Sequence, residues 1–198
     1  MYTLLKSLQI RKELIKRGIK MFSVEDFKRV FDLPKYKVKY FLEKESDGGV
    51  LLRLKRGLYC LTTDMPAEEE IANRLYKPSY ISFEYALSNY SILPEMTYSV
   101  SCATTKSTRN FEVQGKNFVY YKIKRRAYTG YGLVNRQGKS FLMAEAEKAV
   151  VDYLYFVALG KKSVNERLNT TSLDKGKLLD YGRLFQRDKL MDLISELK

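Results

Sequence analysis

The 198-residue sequence predicts an α+β protein, because the spacing of its apolar residues changes along the chain. Up to about residue 44 they recur every three or four positions, which is helical spacing, and a short ribbon with a glycine tip follows. After Pro94 they alternate with polar residues, as in strands, and from Ala144 they return to helical spacing. We therefore expect helices and a ribbon first, then a small, mainly antiparallel sheet, and finally a helical tail.

Helical signals begin close to the N-terminus. A helix over residues 3–17 should end at Gly18, since glycine tolerates the backbone that closes a helix. A very short strand over 20–22 leads to Ser23, a candidate N-cap for a second helix that continues to Phe31. The positions expected to face a core from the first helix are Leu4, Leu5, Leu8 and Ile15.

The stretch from Pro34 to Leu61 predicts a third helix and a two-stranded ribbon. Pro34 suits the first position of a helix, where its missing N–H is not needed. One face of this helix is apolar, with Val38, Phe41 and Leu42, and the other is aromatic and cationic. In the first strand of the ribbon, Leu52 and Leu54 alternate with Leu51, Arg53 and Lys55, and Lys55-Arg56-Gly57 forms the tip.

The order helix, helix, helix, ribbon is typical of a winged helix-turn-helix, which binds DNA. Its third helix enters the major groove, and its ribbon reaches the phosphate backbone or the minor groove. The alternative is a solvated amphipathic helix beside an ordinary surface hairpin. We predict this domain over residues 1–62 and a linker over 63–66. The residues expected to contact DNA are Lys35, Tyr36, Lys37, Lys39, Tyr40, Lys44, Arg53, Lys55 and Arg56.

The charge of the chain favours a polyanionic partner. The formal net charge is +13, and the first 64 residues hold 15 Lys and Arg against 8 Asp and Glu. The positive surplus per residue is therefore highest in the region that predicts a DNA-binding domain. A surplus of this kind attracts nucleic acid or an anionic membrane surface, although it can also serve solubility alone.

Several classes of chemistry are excluded by composition. The chain contains no histidine, which removes a Ser-His-Asp triad, a Cys-His pair and any histidine-ligated metal site. Cys60 and Cys102 are too few and too far apart for a zinc site, and we expect both to be reduced. We find no apolar run of about 18 residues and no signal-peptide pattern. The sequence predicts a cytoplasmic protein with no metal, no cofactor and no membrane contact.

The remainder, residues 67–198, predicts a mixed α+β domain. We expect helices over 67–76, from an N-cap at Ser82 through Tyr90, from Ala144 to Gly160, and through the tail from Ser163, with breaks near Thr170 and Gly182. Strands are expected at 98–102, where one face should be exposed, and at 111–113, 118–124 and 140–143. The Gly-rich segment 128–138 predicts a loop.

One acidic and basic cluster in this region resembles a catalytic site only superficially. Glu145, Glu147, Lys148 and Asp152 suggest a metal-dependent nuclease, but the Glu-x-Lys spacing and the upstream Asp of such sites are missing. We favour a structural interpretation, in which the glutamates complement a helix N-terminus. Lys148 and Asp152 would form a surface ion pair at i and i+4. The sequence thus does not predict an enzyme.

A second basic segment could contact phosphates. It contains Lys122, Lys124, Arg125 and Arg126, beside Tyr120, Tyr121, Tyr128 and Tyr131. These cations suit a nonspecific contact to duplex phosphates. The tyrosines could stack on single-stranded bases, or they could be ordinary strand residues.

Three segments resemble the antitoxin component of the AbiE abortive-infection systems. The first is Arg56-Gly57-Leu58-Tyr59, and the second is Tyr80-Ile81-Ser82 with Ala86-Leu87. The third joins Ala144, Glu147, Lys148, Ala149 and Asp152. They occur in the order of that family, and the resemblance covers residues 1–160.

The resemblance implies a DNA-binding antitoxin of a type IV toxin–antitoxin system that defends against phage. Its winged helix would repress its own promoter, and residues 67–198 would counteract a nucleotidyltransferase-like toxin without a stable complex. Two alternatives remain open. One is a winged-helix regulator without a toxin partner, whose second domain senses a ligand or dimerises. The other is a metal-dependent nucleic-acid enzyme.

Overall fold

A computed structural model describes residues 7–197 and shows an α+β protein, as the sequence predicts. The chain divides into two compact units between Ala67 and Glu68. Residues 63–66, predicted as a linker, fall at the end of the first unit. Among the described residues, no helix combines the length and the apolar composition that a membrane span requires.

The first unit contains three helices and a three-stranded antiparallel sheet. Its elements are α1 (Ser7–Lys16), β1 (Met21–Ser23), α2 (Val24–Phe31), α3 (Lys35–Asp47), β2 (Leu51–Lys55) and β3 (Leu58–Leu61). The strand order is β1-β3-β2, so the hairpin of β2 and β3 is extended by a strand from between α1 and α2. Residues 3–6 of the predicted first helix lie outside the described residues.

Local capping fixes the start of α2, as expected for Ser23. The Ser23 hydroxyl accepts a hydrogen bond from the Asp26 backbone N–H at 3.1 Å, and the Asp26 carboxylate accepts one from the Ser23 N–H at 3.0 Å. This reciprocal capping satisfies two donors that a helix start leaves open. The next helix, α3, begins at Lys35, and Pro34 occupies the N-cap position one residue earlier.

The core of the first unit is aromatic and aliphatic. Its buried residues are Ile10, Leu14, Phe22, Phe27, Val38, Leu42, Leu51, Tyr59 and Leu61. The expectation for α1 was wrong, because Leu8 and Ile15 are exposed. A helix turns about 100° per residue, so a face that buries Ile10 and Leu14 leaves those two positions outside. Leu4 and Leu5 lie outside the described residues.

A β-bulge shapes the hairpin of β2 and β3. The pairing shifts between Arg53 and Lys55, so Leu51 and Leu54 are buried while Leu52 is half-buried. The predicted alternation, with Leu52 and Leu54 on one face, is therefore wrong at this point, since a bulge moves the alternation by one residue. The tip is closed by Gly57, whose φ of 78° is a conformation that glycine adopts readily.

The second unit packs helices against a six-stranded sheet. Its helices are α4 (Glu68–Leu75), α5 (Phe83–Asn89), α6 (Ala146–Ala158), α7 (Lys175–Arg183) and α8 (Asp188–Ser195). Its strands are β4 (Ser79–Ile81), β5 (Ser99–Thr104), β6 (Arg109–Val113), β7 (Lys116–Lys122), β8 (Tyr131–Arg136) and β9 (Lys139–Ala144). The strand order is β6-β7-β5-β4-β9-β8.

This sheet is larger and more mixed than the sequence predicts. Three of its strand pairs are antiparallel, and two pairs, β5 with β7 and β4 with β9, are parallel. The strands β4 and β8 were missed, and the latter replaces most of the predicted loop 128–138. The edge strand β8 is largely exposed, so it lacks the apolar alternation that marks a half-buried strand.

The central strand β5 is buried on both faces, not on one as predicted. It lies between β4 and β7, and Val100 through Thr104 are all buried. The Ser101 hydroxyl is satisfied there because it donates a hydrogen bond of 2.8 Å to the Ser82 carbonyl. A serine that alternates with apolar residues in a strand can therefore lie on a buried face, provided that a backbone carbonyl accepts its hydrogen bond.

The C-terminal region is only partly helical, which corrects the expectation of a helical tail from Ser163. The helix α6 is buried on all sides from Lys148 onward, and α7 and α8 come later. Between them, the side chains of Asn165 and Asn169 accept hydrogen bonds from backbone N–H groups two residues on. Such local bonds favour turns over helix.

Candidate nucleic-acid interface

The outward face of α3 presents two large aromatic rings to solvent. The exposed fractions of Tyr36 and Tyr40, one helical turn apart, are 70% and 69%. Lys35, Lys39 and Lys44 are also exposed, whereas Lys37 is half-buried. A phenol combines a flat apolar ring with a polar tip, which suits contact with bases and phosphates. The face predicted from helical spacing is thus an accessible surface.

Charges are unevenly distributed along α3. All the charged side chains in its first half are cationic. Its acidic residues, Glu43, Glu45 and Asp47, all lie in the second half. No acidic residue lies in the first turn, and Pro34 provides no side-chain cap. The N-terminus of a helix carries a partial positive charge, which acidic side chains stabilise and cations do not. The cations in the first half of α3 therefore do not stabilise this helix. An external anion would complement it, as a phosphate does at other helix starts.

The inward side of α3 holds this surface in place. Val38 and Leu42 are buried in the core of the first unit. Phe41 packs on Phe27, with ring centroids 5.5 Å apart. The outward tyrosines and lysines are therefore carried by a helix that is fixed by its opposite face.

The hairpin after α3 adds a second cationic surface. Arg53 and Arg56 are exposed, and Lys55 is half-buried. Arg56 and Gly57 form the two-residue connection between Lys55 and Leu58, which pair with each other. A short hairpin with a cationic tip can reach a phosphate backbone beside a groove.

Most of these side chains have no partner within the part of the chain that is described, residues 7–197. No side-chain hydrogen bond or ion pair there involves Tyr36, Lys39, Tyr40, Lys44, Arg53 or Arg56. Lys35 lies 3.8 Å from the Glu25 carboxylate, and both groups are exposed. Lys37 and Lys55 each interact within the protein. The cations of this surface are therefore largely available to a partner.

The second basic segment is less available than the sequence suggests. Lys124 is half-buried, and its ammonium donates a hydrogen bond to the Phe185 carbonyl. That group stabilises the second unit, so it cannot serve as a free phosphate contact. Lys122, Arg125 and Arg126 remain exposed.

The nearby tyrosines contribute to packing, which argues against a stacking platform for single strands. Tyr120 is fully buried and donates to the Ala72 carbonyl. Tyr121 packs edge-on against Phe83, with ring centroids 4.9 Å apart. Burial raises the pKa of Tyr120 and of Tyr128. Tyr120 and Tyr121 belong to β7, and Tyr128 is half-buried after it.

The second and third segments of the family resemblance meet inside the second unit. The Asp152 carboxylate is paired with the Lys148 ammonium, and both side chains are 0% exposed. Asp152 also accepts hydrogen bonds from the Tyr80 hydroxyl at 2.9 Å and the Ser82 hydroxyl at 2.8 Å. The predicted surface pair is therefore wrong, and a buried ion pair with two further donors takes its place.

Burial dominates the electrostatics of this cluster. It lowers the pKa of Lys148, while the Asp152 carboxylate opposes that change. Burial also raises the pKa of Tyr80, and the same carboxylate adds to that rise. The Lys148 ammonium lies 5.6 Å from the Tyr80 ring centroid and 5.1 Å from that of Phe185. The arrangement links β4, the start of α5, and α6.

The Ser82 hydroxyl bonds to this cluster and not to the start of α5. It occupies the N-cap position of α5, as predicted, but its hydroxyl makes no capping bond. The hydroxyl donates to Asp152 instead. One signal in the sequence indicates this burial, because Lys148 and Asp152 are flanked by apolar residues on every face of α6.

Glu145 and Glu147, which belong to the same sequence segment as Lys148 and Asp152, make their hydrogen bonds outside the buried cluster. Glu145 accepts hydrogen bonds from the Lys177 ammonium at 3.2 Å and the Tyr181 hydroxyl at 3.1 Å, both near the surface. Glu147 accepts one from the Asp174 backbone N–H at 3.3 Å. Within residues 7–197, no three His, Cys, Asp or Glu side chains are grouped so that they could hold a metal ion. The four residues do not share one catalytic site.

No protein-family model matches the chain, and no curated protein is significantly similar to it.

Proposed function

We propose that the first unit is a winged helix-turn-helix that binds duplex DNA through α3 and the hairpin of β2 and β3. The observation that supports this most strongly is the outward face of α3. It exposes two tyrosines and two lysines, Lys39 and Lys44, whose side chains have no partner among the described residues. Aromatic side chains exposed to this extent contribute little to the packing of the unit, whereas beside lysines they suit a groove lined by phosphates.

The order of elements assigns a role to each part. In a helix-turn-helix the second helix of the motif lies in the major groove, and its N-terminal residues contact base edges. Here that helix is α3, and its first half carries the cations. Lys35, Tyr36, Lys39, Tyr40 and Lys44 would face the groove. Arg53, Lys55 and Arg56 would contact phosphates or the minor groove.

We further propose that the chain is a cytoplasmic antitoxin that represses its own operon. The resemblance to AbiE antitoxins supports this proposal, and the partner would be a nucleotidyltransferase-like toxin with which no stable complex forms. The cluster around Asp152 gives the second and third segments a structural role, because they hold the second unit together. The antitoxin activity is assigned to the second unit as a whole.

Binding to the DNA directly upstream of this gene tests the proposal. Fluorescence anisotropy should show tighter binding to that duplex than to a scrambled duplex of equal length, and the preference should persist at physiological salt. Equal binding that collapses as salt rises would reduce the function to nonspecific attraction by the +13 charge. Growth rescue upon co-expression with a neighbouring nucleotidyltransferase-like gene tests the antitoxin role, and absence of rescue would remove it.

A further inference from the structure

The positive charge of the second unit is concentrated in three short segments. Residues 68–198 hold 21 Lys and Arg against 15 Asp and Glu. The segments 76–79, 104–110 and 121–127 hold seven of those cations and no acidic residue. The rest of the unit has 14 cations against 15 acidic residues, so the positive surplus of the second unit comes from the three segments.

The fold gathers these segments at one end of the six-stranded sheet. β4 begins at Ser79, which pairs with Thr104 at the end of β5. Thr104 also pairs with Lys122, the last residue of β7, and β6 begins at Arg109 beside the same end of β7. The four strands are neighbours in the order β6-β7-β5-β4. Since neighbouring strands lie about 4.8 Å apart, their ends form a row about 14 Å long.

Hydrogen bonds hold the three segments against one another. The hydroxyl of the buried Thr104 donates to the Pro78 carbonyl at 2.7 Å and accepts from the Lys106 backbone N–H at 3.2 Å. The Thr108 hydroxyl accepts a hydrogen bond of 3.1 Å from the Lys122 backbone N–H. The backbone that carries the cations is therefore fixed by contacts between the strand ends.

Aromatic rings position two of the cations. The Lys106 ammonium lies 5.5 Å from the centroid of the Tyr76 ring, and the Arg109 guanidinium carbon lies 6.0 Å from the same centroid. Arg109 also lies 5.3 Å from the centroid of Phe111. The face of a ring attracts a cation without neutralising its charge. Lys106 and Arg109 thus keep their positions and remain positively charged.

Six exposed cations lie at this end of the sheet or directly after it. We call them the sheet-end patch: Lys77, Lys106, Arg109, Lys122, Arg125 and Arg126. Within residues 7–197, none of the six side chains makes an ion pair or a hydrogen bond. Several other cations of the second unit pair with carboxylates, namely Lys116, Lys162, Arg167, Lys177 and Arg183. The sheet-end patch is therefore a surface of positive charge that the unit itself does not neutralise.

The side chains around the patch favour phosphates as partners. Ser107, Thr108 and Asn110 are exposed among the cations. Hydroxyl, amide and cationic side chains are the usual donors to the phosphate and sugar oxygens of nucleic acids. No large apolar side chain of the three segments is exposed, which disfavours a protein partner, because the centre of a protein–protein interface is depleted of charge.

We propose that the sheet-end patch binds the phosphate backbone of duplex DNA, as a second contact of the chain that binds DNA through α3. This inference rests on the proposed function of the first unit. A duplex carries one negative charge per roughly 1.7 Å, so a length of about 14 Å offers about eight phosphates to the six cations. Two contacts on one chain strengthen each other, because binding of one unit raises the local concentration of DNA at the other.

The contact is independent of sequence, because strand ends and loops present it without a helix to enter a groove. The combined variant Lys106→Gln, Arg109→Gln and Lys122→Gln tests it in the full chain by fluorescence anisotropy. Its affinity for the upstream duplex and for a scrambled duplex should fall by the same factor, about tenfold or more at physiological salt. The slope of log affinity against log salt should fall by up to about 3, and the preference for the upstream duplex should be unchanged.

A matched control removes the same charge from other exposed positions of the second unit. The variant Lys161→Gln, Lys175→Gln and Lys189→Gln should lose far less affinity than the patch variant. Replacing the three patch residues by Lys106→Arg, Arg109→Lys and Lys122→Arg keeps the charge and should preserve binding, while the melting temperatures of all variants show that the fold is intact. Equal losses in the patch variant and the control overturn the inference.

Two further comparisons separate this inference from the role of α3. Lys39→Glu with Lys44→Glu should abolish the preference for the upstream duplex and leave a weaker, salt-sensitive binding that the patch variant removes. If the preference persists while the patch variant matches its control, the patch fails and the role of α3 stands. If no preference exists but the patch variant still loses binding, the role of α3 fails and the patch contact stands. Tighter binding of duplex RNA than of DNA through the same three residues would overturn the assignment to DNA.

Discussion

The hydroxyl of Tyr80 donates a hydrogen bond of 2.9 Å to the carboxylate of Asp152, a residue 72 positions further along the chain. This bond joins β4, which is the first strand of the six-stranded sheet in the sequence, to α6, which follows the last one. Lys148 and Ser82 complete the same cluster. The residues of two separate sequence segments therefore form one buried polar centre, and the stability of the second unit should depend on it.

Asp152→Asn should strongly destabilise the protein, because it leaves the buried Lys148 ammonium without a counter-charge. Breaking a buried pair from one side costs about 3 kcal/mol or more. Replacing both partners, with Lys148→Met and Asp152→Leu, should cost less than the single change, since no buried charge remains. Urea unfolding measures both free energies.

The control for this pair is an exposed one. Asp180 pairs with Arg183 at 2.7 Å on the surface of α7, and Asp180→Asn should leave the unfolding free energy nearly unchanged. If Asp152→Asn is as mild as Asp180→Asn, the cluster is not the centre of stability that its burial indicates.

Alkaline pH should destabilise the fold. Burial raises the pKa of Tyr80, Tyr85 and Tyr120, and it raises the pKa of the Cys60 thiol to about 11. The unfolded chain releases phenolic protons at about pH 10, before the folded chain does, so the unfolding free energy falls as pH rises further. Lys148 acts in the opposite direction, because its lowered pKa makes the folded chain lose that proton first.

The urea midpoint measured between about pH 8 and pH 11 checks this sum of effects. We expect a fall, since the tyrosines outnumber the single lysine. Tyr85→Phe, which removes a phenol that donates to Glu69 at 2.8 Å, should make the fall shallower. A midpoint that stays constant or rises over this range contradicts the account of the buried phenols.

Two glycines with nearly the same backbone conformation should differ in their tolerance to substitution. Gly130 and Gly138 have φ values of 71° and 73°. A Cβ on Gly130 would lie 2.6 Å from the Tyr181 ring, whereas one on Gly138 would meet nothing within 4 Å. Gly138→Ala should cost about 1 kcal/mol for the left-handed backbone alone. Gly130→Ala should cost about 1–3 kcal/mol more because of the clash. Equal losses in thermal or urea unfolding would mean that Tyr181 does not pack against Gly130.

The hairpin tip should contribute to DNA binding without regard to sequence. Lys55→Ala combined with Arg56→Ala should weaken binding to every duplex and reduce the slope of log affinity against log salt by up to about 2. Anisotropy titrations at several salt concentrations give that slope. An unchanged affinity would remove the hairpin from the interface.

Much of the first unit follows from the sequence because those signals are local, although the inward face of α1 was predicted wrongly. The reciprocal cap at Ser23 and the glycine tip at Gly57 are set by neighbouring residues. The accessible face of α3 also follows from spacing, since one apolar stripe fixes which positions are left outside. The bulge in β2 could not be predicted from the sequence, because it depends on how that strand pairs with β3.

The second unit was harder to predict because its features depend on distant contacts. Lys148 and Asp152 have the same i, i+4 spacing whether they lie on a surface or inside a core. The packing of α6 decides between the two, and the apolar residues around the pair are the signal in the sequence that indicates it. The strand β8 is defined by its pairing with β9, and its exposed side chains carry no alternating signal.

The most direct measurement compares two charge reversals at physiological salt on the DNA upstream of this gene. Lys39→Glu with Lys44→Glu changes the outward face of α3, and Lys12→Glu with Lys16→Glu changes exposed residues of α1 by the same total charge. The account predicts that the α3 variant loses about a hundredfold or more in affinity, while the α1 variant loses far less. Equal losses would mean that net charge alone draws this protein to DNA and that α3 is not its binding surface.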